Sequence, residues 1–366
     1  MRLGLVLYGS LDTVTGGFIY DRMLVEYLER QGDRVEVISL PWRSYGRGLG
    51  DNLSPALLGR LRRARFDVLL QDELAHPSFF WLNRRLRVSG SYPIIAIVHH
   101  LRSREDHPPW RRRLYRWVER QYLASVQGFV FVSRTTRSDV EGLLGKPGLG
   151  VLAYPGGDRL PGSISPEDIT RRALKPGPLE IVAVANLIPR KEIHTLLAAL
   201  ARLPLEEWRL RVAGSLTMDS AYVRAIQAQI ADTGLTGRVE LLETVADQDL
   251  AALLAKSQVQ AVPSSYEGLG IAYLEGMRLG LPAIASTSGA AHEVIAHGRD
   301  GFLVPPGDVD ALFHCLGLLL RDRKLLLAMR RRRDVPRGQN RGSLPKSFSG
   351  IFKDPGGNVV TEIFGH

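Results

Sequence analysis

Between residues 259 and 295 the chain reads VQAVPSSYEGLGIAYLEGMRLGLPAIASTSGAAHEVI. An apolar strand ends near Val262, and a polar loop then carries Ser264, Ser265, Tyr266 and Glu267. Gly268, Leu269 and Gly270 turn the backbone into a helix that contains Glu275. Glycine permits the tight turn, and unpaired N–H groups at a helix start make a place for phosphate. Glu267 stands before that anion site, and Glu275 lies about 6 Å along the axis from the helix start. Two carboxylates on either side of a phosphate site suit a ligand with hydroxyls at both ends, as in a nucleotide sugar. Solvated, idle carboxylates are the competing reading of the same spacing.

Three more groups follow the ends of predicted strands. Arg190 and Lys191 come between EIVAVAN and the helical EIHTLLAAL, where their charges would neutralise a diphosphate leaving group. Gly16 and Gly17 follow RLGLVLYG and precede a helix beginning near Phe18. Without side chains there, a phosphate or acceptor oxygen could approach the backbone. The pattern is not a dinucleotide-binding G-x-G-x-x-G, which speaks against redox chemistry. His99 and His100 end PIIAIV, and on extended backbone their side chains point opposite ways, so one is expected to be a packing residue. The other could donate to a sugar hydroxyl or a phosphoryl oxygen.

The elements that must position these groups alternate in type. RLGLVLYG, RVEVISL, FDVLLQ, YPIIAIV and GFVFVS read as strands, with helical spacing in FIYDRMLVEYLERQG and WRRRLYRWVERQYLAS. Such alternation predicts a parallel sheet covered on both faces. After a Pro-rich stretch it restarts at LEIVAVANL and continues to PAIAS. The expected organisation is an N-terminal Rossmann-like domain over 1–160 and an interdomain linker over 161–177. A second Rossmann-like domain would span 178–330, followed by a basic tail with scattered glycine and proline over 331–366. Two doubly wound domains facing a central cleft would hold ligands at the carboxyl ends of their strands.

The sequence is similar to the largest family of retaining GT-B glycosyltransferases (glycosyl transferases group 1). The likeness rests on the E-x7-E stretch SSYEGLGIAYLEGM and on six further segments in the same order. These are TGGFIYD, the strand–Ser–helix FVFVSRTTRSDV, the turn YPGGD, ANLIPRKEIHTLLAAL, the loop after PAIAS, and EVIAHGRDGFLVPPGD. The resemblance implies that Glu267 approaches the donor sugar hydroxyls and that Glu275 holds the ribose. It assigns the donor phosphates to the Arg190–Lys191 pair, chiefly Lys191. It aligns the family's single histidine with His99 rather than His100. It also implies a nucleotide-sugar co-substrate, no tightly bound cofactor and no requirement for a divalent metal.

Two departures stand out. Asn186 occupies a position where many relatives carry an arginine, so Arg190 would share that work or turnover would be slow. At 291–293 the common Gly-Pro-Glu is Ala-His-Glu, and Glu293 reads as a carboxylate at a helix N-terminus.

Composition sets the outer bounds. The 366 residues suit two domains, and the formal charge of +10 is uneven. From Arg330 onward eight basic and three acidic residues supply half of it. Much of the rest lies near 60–65, 84–87 and 102–120, which favours an anionic partner for the N-terminal half. In DHPPWRRRLYRWVERQYLAS, Trp110, Leu114 and Trp117 recur at i, i+4 and i+7 among arginines. The expected role of this trio is to pack a covering helix on the sheet. Contact with an anionic membrane surface is the alternative.

The lone Cys315 sits in an apolar helical run and reads as a buried thiol. The opening MRLGLVLYG reads as a strand rather than a leader, and no stretch has the length of a membrane span, so a cytoplasmic protein, peripheral at most to the membrane, is expected. The acceptor is left open among glycan, lipid-linked and small-molecule classes. A non-catalytic sugar-nucleotide-binding partner subunit is the non-enzymatic alternative. A sugar-nucleotide epimerase or phosphorylase lacks its flanking acid–base groups, and a nucleic-acid partner is not expected. Residues 334–366 hold three prolines and six glycines, which would interrupt a long closing helix.

Overall fold

The computed structural model describes residues 1–88 and 92–330. The expectation for the tail at 331–366 lies outside them. The chain divides into two units, the first Met1–Pro155 and the second beginning at Gly156.

In the first unit, strand β1 (Arg2–Tyr8) leads to helix α1 (Gly16–Arg30) and β2 (Arg34–Leu40). Helices α2 (Tyr45–Asp51) and α3 (Pro55–Arg63) precede β3 (Val68–Asp72). Short helices α4 (His76–Phe79) and α5 (Leu82–Arg87) come before β4 (Ile94–Val98). The unit closes with α6 (Pro109–Leu123), β5 (Gly128–Phe131), α7 (Arg134–Leu144) and β6 (Gly150–Leu152). Its six strands run in the order β2-β1-β3-β4-β5-β6 and pair in parallel. β4 and β5 are buried along their whole length, as their continuous apolar runs require of a doubly wound sheet, and β3 is buried even at its polar end, Gln71 and Asp72.

The second unit starts with helix α8 (Pro166–Ala173) and then alternates β7 (Leu179–Val184), α9 (Ile193–Leu200), β8 (Trp208–Ala213) and α10 (Ser220–Asp232). β9 (Val239–Leu242), α11 (Asp247–Lys256), β10 (Val259–Val262), α12 (Ile271–Arg278) and β11 (Ala283–Ser286) follow. β12 (Gly301–Val304), α13 (Val309–Arg321) and α14 (Arg323–Arg330) complete it. The strand order is β12-β11-β10-β7-β8-β9, again in parallel pairs. Cys315 packs into this unit's core, and burial pushes its thiol up to about 11.

Three local readings of the sequence need correction. The stretch taken as a linker, 161–177, contains α8. Ser165 caps it by accepting the Asp168 amide at 3.0 Å, and Pro166 fits its first turn. Arg172 then ties it down by donating to the carbonyls of Ala255 and Leu279 at 2.8 and 2.6 Å.

On α6 the trio expected to pack is outside: Trp110, Leu114 and Trp117 are 63%, 38% and 54% exposed. A second stripe at helical spacing, Tyr115, Val118 and Tyr122, is buried instead and joins Leu123 against the sheet. Glu293, read as lying at a helix N-terminus, ends a single 3-10 turn, Ala291–Glu293.

Candidate functional site

In an open parallel sheet, ligands bind where the strand order reverses, because the loops leaving the carboxyl ends there diverge and open a crevice. In the second unit that point lies between β7 and β10. The loop after β7 carries Asn186, Arg190 and Lys191, and the loop after β10 carries Ser264 to Gly270. The two loops are stitched together. The Ser265 amide donates to the Arg190 carbonyl at 2.8 Å, and Arg190 Nη1 donates to the Tyr266 carbonyl at 2.8 Å.

At the centre Lys191 Nζ donates to Glu267 Oε2 at 2.6 Å, and Ser264 Oγ donates to the same oxygen at 3.1 Å. Both charged side chains keep a small opening to solvent, 17% for Lys191 and 13% for Glu267. Burial alone would raise the Glu267 carboxyl. The charges of Lys191 and Arg190 and the two hydrogen bonds outweigh it and hold the group at about 2. Glu267 is therefore an anion at any physiological pH.

Two backbone features aim this pair. Glu192, next to Lys191, sits at φ 49°, a left-handed conformation that costs a non-glycine residue about 1–2 kcal/mol. Its buried carboxylate holds the bend by accepting the Gly307 amide at 2.7 Å and the Thr195 hydroxyl at 3.2 Å. On the far side, the Glu267 carbonyl accepts the Ala290 amide at 2.8 Å. Gly289 lies so close to that carbonyl that a Cβ would come within 2.1 Å of its oxygen, so the loop after β11 can seat Glu267 only with glycine at this position.

Gly270, also left-handed, ends the turn of Gly268 and Leu269 and starts α12, where no side chain caps the helix. Glu275 lies within α12, 3% exposed. Arg159 Nε donates to it at 2.7 Å, and Arg159 also pairs with Asp247. Burial pushes the Glu275 carboxyl upward against the pull of Arg159. Asn186 Oδ1 accepts the Ser215 amide at 2.8 Å and so ties the ends of β7 and β8.

In the first unit the sheet brings a different set together. Thr15 caps α1, Gly16 opens it, and Gly17 is pressed against the His99 ring, where a Cβ would lie 3.2 Å from Cδ2. His99 Nε2 is 3.1 Å from Asp21 Oδ1 on α1, and Asp72 at the end of β3 completes a buried group. The ring and carboxylate atoms of Asp21, Asp72 and His99 lie within 4.8 Å of one another. Desolvation would lower His99. Asp21, through charge and hydrogen bond, and then Asp72 and Glu73 outweigh it and raise the imidazole to about 9. Burial and the Asp21 charge push Asp72 up as well, to about 8.

His100 points elsewhere, its Nε2 2.8 Å from Glu105 Oε1. Beneath these, Glu73, His76 and Glu119 form a second buried group, with both acids raised to about 7 by burial. Asp21, Asp72 and Arg159 were not legible as site residues. Asp21 and Asp72 meet His99 only through the strand order, and Arg159 lies in the stretch beside the expected linker.

Two parallel doubly wound units, each gathering charged groups at the carboxyl ends of its strands, are the arrangement of a GT-B-fold protein. Residues 16–156 match the family described as glycosyl transferase 4-like domain, and residues 165–334 match glycosyl transferases group 1. The chain belongs to the glycosyltransferases of this fold. It is 29% identical over 274 residues to an MMP alpha-(1->4)-mannosyltransferase of Mycolicibacterium hassiacum, covering 71% of this chain and 63% of that protein. It is 32% identical over 213 residues to a GDP-mannose-dependent alpha-(1-6)-phosphatidylinositol monomannoside mannosyltransferase of Mycolicibacterium smegmatis, covering 54% of each. The match therefore spans less than two thirds of either relative's length. Sucrose-phosphate synthase from Thermosynechococcus elongatus has a similar fold, with a TM-score of 0.74 at 20% identity over 90% of this chain and 92% of that one.

Proposed function

We propose that the chain is a retaining glycosyltransferase that moves a sugar from a nucleotide-sugar donor to a glycan, lipid-linked or small-molecule acceptor. The observation that carries this reading is the Lys191–Glu267 pair, 2.6 Å apart at the switch point of the second unit and beside the uncapped start of α12. A donor diphosphate at that helix start would draw Lys191 and Arg190 to itself, leaving the ionised Glu267 to accept hydrogen bonds from sugar hydroxyls. Glu275 would take the ribose hydroxyls, with Arg159 holding its orientation.

Charge grows on the departing phosphate as the sugar leaves. Preorganised cations and helix N–H groups stabilise that charge without reorganising. The same phosphate oxygen would accept the acceptor's proton on the face it leaves, which gives retention. His99, kept cationic by Asp21, would donate to an oxygen on the acceptor side. The GDP-mannose and phosphatidylinositol mannoside specificity of one relative makes a lipid-linked acceptor the first to try, at the inner face of the cell membrane.

The test is mass analysis of products after incubation with a panel of nucleotide sugars and glycan, lipid-phosphate and small-molecule acceptors. Nuclear magnetic resonance would read the anomeric configuration. Transfer with retained configuration is expected. A chain that binds nucleotide sugars but neither transfers nor hydrolyses them would instead be a non-catalytic partner subunit.

A further inference from the structure

In α6 one helix carries two apolar stripes, and the fold uses only one. Tyr115, Val118 and Tyr122 are buried, so Trp110, Leu114 and Trp117 stand in solvent about 100° or more away around the axis. Exposing two tryptophans and a leucine in one row forgoes burial worth about 1.5–3 kcal/mol per large side chain, and such a row marks an interaction surface.

The row is wider than α6. Trp117 packs edge-on against Phe80, with ring centroids 5.8 Å apart, and next to Phe80 is Trp81, 45% exposed. Arg84 of α5 donates to Gln121 of α6 at 2.6 Å and fixes the two helices side by side. The exposed charge on α6 itself is basic. Arg113, Arg116 and Arg120 run along its flank, all exposed. The single acid of α6, Glu119, is turned inward and accepts the Ser103 amide at 3.0 Å. Arg111 and Arg85 lie over the rings of Trp110 and Trp81, at 5.1 and 5.8 Å.

Indole rings with an apolar body and a polar edge, bordered by long arginines that can keep their heads in water, fit the boundary between acyl chains and headgroups. An acidic protein would satisfy the arginines and leave the tryptophan row uncovered. We infer that the α5–α6 face docks the chain on an anionic lipid bilayer, with Trp110, Leu114 and Trp117 entering the headgroup layer and the flanking arginines meeting lipid phosphates.

The surface is tied to the candidate site within the same unit. His100 Nε2 lies 2.8 Å from Glu105, Glu105 lies 3.4 Å from His107, and the His107 ring packs on Tyr115 of α6. Tyr115 belongs to the buried stripe, so docking would hold the His99–His100 end of the first unit behind α6, about one helix diameter from the bilayer.

The experiment is flotation of the full chain with vesicles of phosphatidylcholine alone and with about one third phosphatidylglycerol. Binding only to the anionic vesicles is expected, weakened at high salt as surface charge is screened. Arg113→Glu with Arg116→Glu should weaken it about tenfold or more, and Trp110→Ala with Trp117→Ala should weaken it severalfold at equal salt. All four positions are exposed, so the variants should melt as the parent chain does. Absence of binding to anionic vesicles overturns the inference. So does unchanged binding by the arginine variant, which would move the contact to the basic stretch after Arg330. If the tryptophan variant instead abolishes self-association in solution, the face covers a second copy and the bilayer assignment is wrong.

Discussion

The two units treat their carboxylates in opposite ways. In the second, each candidate site acid has a cation in contact: Lys191 on Glu267 and Arg159 on Glu275. In the first, Asp21, Asp72, Glu73 and Glu119 are fully buried, and the groups beside them are mostly imidazoles and one another. Glu267 is consequently held near 2, whereas Asp72, Glu73 and Glu119 are pushed to about 8, 7 and 7. A carboxylate that must accept hydrogen bonds from a sugar has to be ionised before the ligand arrives. A cluster that keeps protons at neutral pH can instead hold an imidazolium and shift its charge with small changes around it. At Glu267 the second unit is built for fixed charge, whereas Glu275 is shifted upward by burial as are the acids of the first unit, whose charge is labile.

The strongest way to break this contrast is to remove the cation. Lys191→Ala leaves Glu267 with Ser264 and the Arg190 charge, and removes the main charge assigned to the leaving phosphate. Transfer should fall by about 100-fold or more, as when a preorganised stabilising donor is lost. Binding of a nucleoside without phosphates should hardly change. Turnover at the parent rate would show that the cation is not where the reaction needs it.

The two acids of α12 and its preceding turn sharpen the same picture. Glu275→Ala should weaken bare nucleoside diphosphate by about 10- to 100-fold, the value of one or two hydrogen bonds to a charged group. It should also lower stability, since Arg159 keeps only Asp247, which is half exposed. Glu267→Ala should spare the nucleoside diphosphate and impair sugar transfer. Equal losses of nucleotide affinity, measured by calorimetry, would merge the two roles.

What the sequence could show follows the same divide. Lys191, Glu267 and Glu275 were legible because each sits in a short segment whose strand–loop–helix character is local, so type and spacing already place it. The Asp21–Asp72–His99 group was not. Its members are separated by 51 and 27 residues and meet only because β1, β3 and β4 are neighbours in the sheet. Arg159 was hidden because a loop residue shows nothing of what it reaches, and its partner Glu275 lies 116 positions away. Helix α8 had a readable start, Ser165-Pro166 followed by Asp168, but the surrounding prolines read more strongly as a linker. On α6 two stripes satisfy helical spacing equally, and periodicity cannot say which one the sheet will cover.

The labile charge of the first unit should appear as pH dependence that Glu267 lacks. His99 and Asp72 both have folded values above their ordinary ones, about 9 and about 8. Such groups stabilise the fold while protonated, fully below the unfolded value, and lose that contribution as pH rises through the folded one. The first unit should therefore lose stability as pH rises, through Asp72 from about pH 4 to 8 and through His99 from about 6.5 to 9, the two together between about 6.5 and 8. Glu267, depressed to about 2, contributes above its unfolded value and loses this only in acid, so it is flat over that window. Amide exchange corrected for intrinsic rate should show falling protection in β3 and β4 but not in β7 and β10. Equal behaviour of the two sheets would remove the contrast.

The smallest expected effect tests whether the cations alone suffice in the second unit. Ser264 is fully buried and donates to the oxygen of Glu267 that Lys191 also contacts. Ser264→Ala removes one of the two hydrogen bonds to that oxygen and strands no donor, since alanine has none to satisfy. The loss should be about 1 kcal/mol, or roughly fivefold in transfer. Because the charges of Lys191 and Arg190 act more strongly on Glu267 than the serine does, its carboxyl should rise only slightly from about 2. The pH profile of transfer should then keep its shape between pH 6 and 8. A new titration appearing in that range would mean that Glu267 had joined the labile acids of the first unit. The serine, rather than the cation pair, would then be what separates the two halves of the molecule.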